Sequence, residues 1–176
     1  MRADLLHLMS APSSGLERLL RHGAPVTPDQ LAGWTYDGVR LGLPALVDRL
    51  LLKFRMSFRG APGGVEGWHE RVRQDGLAAP WTPRRLFGRA LTYGRFCAVP
   101  AASHPRWGDR YPQATVLDLG RGEPPWSPLR PLRAYVVAVH EGSCERLLGR
   151  LCLDLGVKRA KTASYFALSR GEALPG

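Results

Sequence analysis

The chain is poor in lysine, in cysteine and in long apolar runs, and each shortage closes off a class of protein. Of its 25 basic residues only three are Lys, so arginine carries the formal net charge of +10. Those arginines are spread along all 176 residues, which argues against nucleic acid as a dedicated partner. What they leave is a cationic surface able to make peripheral contact with an anionic membrane or an acidic ligand. Three cysteines, Cys97, Cys144 and Cys152, are too few and too odd in number for a disulfide framework. They suit a reducing compartment as small buried thiols, and the expected location is cytoplasmic. No stretch approaches the roughly 18 to 20 uninterrupted apolar residues that cross a bilayer as a helix. Asp4 and His7 break the short apolar flavour of the N-terminus, so no signal peptide is expected.

Catalytic signatures are missing as well. There is no Gly-x-Ser-x-Gly elbow, phosphate loop or dinucleotide fingerprint, and Gly120-Arg121-Gly122 alone is too common to count. His140, Cys144 and Cys152 match no compact ligand spacing. Neither a metal nor a cofactor is implied.

What is present is enough apolar surface, 44% of residues, for a globular core in a chain of this length. Residues 1–30 read as a helical segment. Ser13 or Ser14 caps a helix with a Leu16, Leu19 and Leu20 stripe that stops at Gly23, and Thr27 caps a short turn with Pro28 at its first position. From residue 31 the period changes to two. Leu31 to Leu41 is a first strand, Leu43 to Leu52 a short helix across one end of the sheet, and Lys53-Phe-Arg-Met-Ser-Phe-Arg59 a strand with one dry and one wet face. Trp68 to Arg73, a long bent run from Leu86 to Val99, Ala114 to Leu119 and Leu132 to His140 follow as strands. Irregular loops fill residues 74–85, 100–113 and 120–131. Glu145 to Leu155 and Thr162 to Arg170 then form an antiparallel pair, and 171–176 is a tail.

About seven or eight strands with turns between them and little helix after residue 52 predict a mainly β protein. The predicted architecture is an antiparallel closed or nearly closed barrel over 31–170, since each clear strand has one apolar face to wrap around an interior.

Three pieces resemble the lipocalin-like, or calycin-like, small barrels and bacterial proteins of the GXWXG type. They are Leu31-x-Gly33 followed by Trp34, Tyr36 and Gly38, the Lys53 to Arg59 strand, and the closing pair from Leu148 to Arg170. The lipocalin hallmark Gly-x-Trp stands here as Gly33-Trp34. The resemblance implies an interior cavity for a small, mostly apolar molecule and supplies no catalytic residues.

The expected function is therefore binding of a small hydrophobic or amphipathic ligand, anionic and lipid-like if an arginine faces inward. Trp34, Tyr36, Phe54, Met56, Phe58, Tyr93, Tyr135, Tyr165 and Phe166 are the candidate wall. Arg40 shares the parity of Trp34 and Tyr36, and Arg95 that of Tyr93, so either can serve as a carboxylate clamp. Asp118, with Val116 on one face of its strand, is a candidate polar group and more simply an ion-pair partner. An enzyme using Asp118 with a His or Tyr in the same cavity is the alternative reading. An Arg-rich surface on anionic membrane or nucleic acid is the third.

Overall fold

The computed structural model describes residues 3–42 and 52–175, so the helix expected from Leu43 to Leu52 falls outside the described residues except at its last position. Eight strands close into an antiparallel barrel. In chain order they are β1 (Trp34–Leu41), β2 (Lys53–Ala61), β3 (Gly64–Arg71), β6 (Thr92–Pro100), β7 (Thr115–Asp118), β8 (Leu132–His140), β9 (Ser143–Asp154) and β10 (Arg159–Ala173). Each pairs with the next, and β10 returns to β1, which makes an up-and-down barrel without a free edge.

The run from Leu86 to Val99 is not one bent strand. Arg85–Leu86 (β4) and Arg89–Ala90 (β5) form a separate hairpin before β6 begins. Its turn has positive φ at both Phe87 (51°) and Gly88 (78°), the geometry a two-residue hairpin needs to match strand twist. Gly88 meets that demand without strain, so the chain doubles back there.

Because neighbouring strands run in opposite directions, the connections alternate between two ends. The base is plugged by the N-terminal segment. Thr27 and Gln30 close a capping box around α3 (Pro28–Leu31), with the Thr27 amide donating to Gln30 Oε1 at 2.9 Å, and Val26 and Leu31 fill the barrel floor. Among the described residues the other end is an open rim, from which the β3–β6, β7–β8 and β9–β10 connections leave, as does the β1–β2 connection that lies outside them.

Apolar burial occurs on both sides of the wall. Inside lie Tyr36, Phe54, Met56, Phe58, Phe96, Leu117, Val136, Leu147 and Phe166. Outside, helices α1 (Ala3–Ser10) and α2 (Ser13–His22) and the loop 101–114 cover a second cluster that includes Leu16, Leu20, Trp107, Tyr111, Tyr135, Leu148 and Tyr165. Glu17 ties α2 down. Its carboxylate accepts from the Tyr111 hydroxyl at 2.8 Å and the Tyr165 hydroxyl at 3.0 Å, and pairs with Arg21 and Arg150.

On the opposite outer wall Lys53 departs from its expected wet position. It is 3% exposed, and its ammonium donates to Asp75, Gly76, Ala79 and Pro80 and lies over the Trp81 ring. One buried cation thus organises the 74–83 loop against the barrel, with its donors satisfied by backbone carbonyls and a carboxylate.

Candidate ligand-binding site

Aromatic side chains fill the lower half of the interior. Phe58 meets Tyr36 edge-on at 5.5 Å and Phe96 at 5.3 Å between ring centroids, and Tyr36, Met56 and Phe58 are fully buried. Packing of this kind leaves no room for a ligand there. Burial also pushes the Tyr36 hydroxyl up to about 12, so it stays protonated.

The upper half is hollow. A cavity of about 240 Å³ sits under the open rim, below the ~300 Å³ at which drug-sized pockets begin. Its walls come from all eight strands. Phe54 and Phe166 meet edge-on at 6.0 Å between centroids, and Leu117, Leu132, Ala134 and Leu151 supply aliphatic surface. Leu119, at the start of the short helix α4 (Leu119–Gly122), and Leu129 overhang from the β7–β8 connection.

Three inward glycines make this geometry possible. Gly38 pairs with Phe54 across β1–β2, Gly67 with Phe96 across β3–β6, and Gly149 with Phe166 across β9–β10. A Cβ on any of them would lie within 2.5 Å of the partner ring. The rings rest against bare backbone at these positions, which is how aromatics cover strand glycines.

Polar groups are few and placed at the mouth. Arg40 lines the cavity with its guanidinium 5.9 Å from the Phe54 centroid, and no described carboxylate pairs with it. His69 stacks on Tyr93 at 5.3 Å, and its Nδ1 lies 2.9 Å from the Gly94 carbonyl. Burial against these rings, with Arg40 opposing a proton, drops His69 to about 4. At neutral pH His69 is therefore uncharged and its Nδ1 donates to that carbonyl, so Arg40 is the one cation among the cavity-lining side chains described.

No protein-family model and no curated protein matches the chain. The fold is consistent with a lipocalin-like barrel, and the site must be read from its own geometry.

Of the residues expected at a cavity, Arg40, Phe54, Tyr93 and Phe166 line this one. Tyr36, Met56 and Phe58 face inward but belong to the packed lower core, and Trp34 lies at the base beneath Arg170, 4.7 Å from its guanidinium carbon. Four residues point away from the interior. Tyr135 and Tyr165 belong to the outer cluster, because β8 and β10 are apolar on both faces and hydrophobicity alone does not show which way a side chain turns. Arg95 is exposed outside, because β6 carries an extra residue opposite Gly67–His69, with Gly94 at φ 58°, and the bulge reverses its parity.

Asp118 also faces outward. It is 2% exposed under the 101–114 loop, held by Arg133 at 2.7 Å, His104 at 3.2 Å and Arg121 at 3.4 Å, and it accepts from the Arg121 amide. Both of its oxygens are taken. It is an ion-pair partner that fixes the loop and α4 to the wall. His69, Leu117, Leu132, Leu151 and Ser164 were missed as lining residues; period-two inward parity from their strands was the signal that could have found the leucines.

Outer grooves of about 430, 510 and 640 Å³ are larger, but outward-facing polar and charged residues line much of each. Among the described residues, the smaller cavity is the one lined mainly by inward-facing barrel residues. Among the described residues there is no cluster of His, Cys, Asp and Glu suited to a metal, and no helix long and apolar enough to cross a membrane.

Proposed function

We propose that the protein binds a small amphipathic anion at the open end of the barrel. The observation that carries this reading is Arg40, a guanidinium at an apolar cavity with no carboxylate partner among the described residues. An organic acid fits both features. Its tail lies between Phe54, Phe166 and the leucines, and its carboxylate takes the forked donors of Arg40. The modest volume favours a short chain over a long fatty acid.

Titration calorimetry with octanoate and octanol at neutral pH tests this. A charge-assisted hydrogen bond contributes about 1.5–3 kcal/mol, so Arg40→Met should weaken octanoate by roughly tenfold to a hundredfold. Octanol, which lacks the charge, should keep its affinity within about threefold, well under one charged hydrogen bond. Equal loss for both ligands, or for neither, contradicts the assignment.

A further inference from the structure

The described large hydrophobic side chains left in water are not scattered. Leu86 (55% exposed), Phe87 (96%), Trp126 (83%), Leu155 (59%) and Val157 (97%) all lie in connections that leave the open rim. The base connections, including residues 62–63 and 141–142 and the 101–114 loop, hold none. Exposed apolar residues spread singly over a surface need no explanation, but confinement to one end of a barrel does.

Cations accompany them. Arg84, Arg85 and Arg89 flank Leu86 and Phe87, Arg121 and Arg130 flank Trp126, and Lys158 follows Val157; all six are exposed. The acids of these connections, Asp75 and Glu123, are already engaged, Asp75 by Lys53 and Glu123 by the Arg95 amide and Ser127.

We propose that the open rim is a docking face for an anionic lipid bilayer. Phe87, Trp126 and Val157 enter the headgroup region while the surrounding arginines pair with lipid phosphates. Three separated loops, each an apolar tip with cations beside it, suit a fluid interface better than the continuous dry patch of a protein partner. Only Phe87 and Trp126 of these five carry a flat ring for base stacking, on separate loops, and Leu86, Leu155 and Val157 carry none, which disfavours nucleic acid. Docking in this way sets the cavity mouth on the interface where amphipathic acids concentrate, yet it stands whether or not the cavity is filled.

Flotation with phosphatidylcholine vesicles, with and without phosphatidylglycerol, provides the test. The protein should float with the anionic vesicles at low salt and stay behind with the neutral ones. Arg84→Gln, Arg85→Gln and Arg89→Gln should each weaken binding by about fivefold, the effect of one cation at an anionic surface. The double variant Phe87→Ser, Trp126→Ser should lose binding while melting like the parent, since both side chains are exposed. Arg40→Met should weaken flotation by no more than the roughly fivefold of one rim cation while losing octanoate, which separates this claim from the ligand site. Failure to float, flotation unchanged in the double variant, or capture by an oligonucleotide that outcompetes the vesicles would each overturn the proposal.

Discussion

Most of the arginines whose partners are seen in the structure answer a specific acid. Arg133 holds Asp118, Arg150 holds Glu17, Arg55 holds Asp37, Arg159 holds Asp109 and Arg170 holds Glu145. Arg40 stands apart at an apolar mouth, and His69 beside it feels the consequence. The linkage runs in one direction. With His69 lowered from 6.5 to about 4, the unfolded chain binds the additional proton between those values. Its contribution to stability is therefore complete above pH 6.5 and is lost as pH falls towards 4. The ring is partly open to the cavity, so the loss is on the order of 2 kcal/mol. The facing charges are Arg40, which opposes protonation, and Glu123, which favours it. A ring-proton NMR titration should place the His69 midpoint near 4 in the empty protein. A midpoint at the ordinary histidine value would mean that the ring is not enclosed as described.

The inward position of Arg40 was readable in the sequence, because β1 runs without a bulge from Tyr36 to Leu41 on both of its neighbours. That of Arg95 was not, because a single extra residue near Gly94 reverses the face and leaves no mark in composition.

Among the elements, the glycine–phenylalanine pairs set the interior shape. The aromatic residues of β2 were plain in the alternation, but the glycines opposite the rings could not be picked out as their partners, since a close approach depends on which strands become neighbours. At Gly149 the nearest atoms to an added Cβ all belong to the Phe166 ring, as close as 2.1 Å. Gly149→Ala should destabilise the fold by about 1–3 kcal/mol, the cost of overpacking a tight core. Phe166→Leu on its own should also cost stability, but the double variant should cost less than the sum, with a coupling of about 0.5–3 kcal/mol for residues in contact. Urea unfolding measures all three, and strict additivity would show that the ring does not rest on the glycine. The Phe87-Gly88 turn carried the same kind of hidden signal. A glycine in a run of apolar residues suggested a bend, whereas the left-handed backbone of both residues makes a hairpin.

At the scale of the whole molecule, the closed antiparallel barrel was legible from strand count, period and turn spacing. Its division into a filled base and a hollow upper half was not, because both halves use the same aromatic and aliphatic residues. The outer apolar layer was hidden for a related reason. Leu16 and Leu20 announced an amphipathic helix, but nothing local says that the helix covers Tyr135, Leu148 and Tyr165 rather than another surface. Among the described residues, the cavity meets solvent past Arg40 and the rim loops.

The most direct test is an NMR map of ring and methyl shifts as octanoate is added. The account predicts changes concentrated at Phe54, His69, Tyr93, Leu132 and Phe166, a rise in the His69 midpoint as a carboxylate settles beside it, and little change at Tyr36, Phe58 or Tyr135. Shifts centred on the outer grooves, or a cavity that stays silent at saturating octanoate, would contradict it.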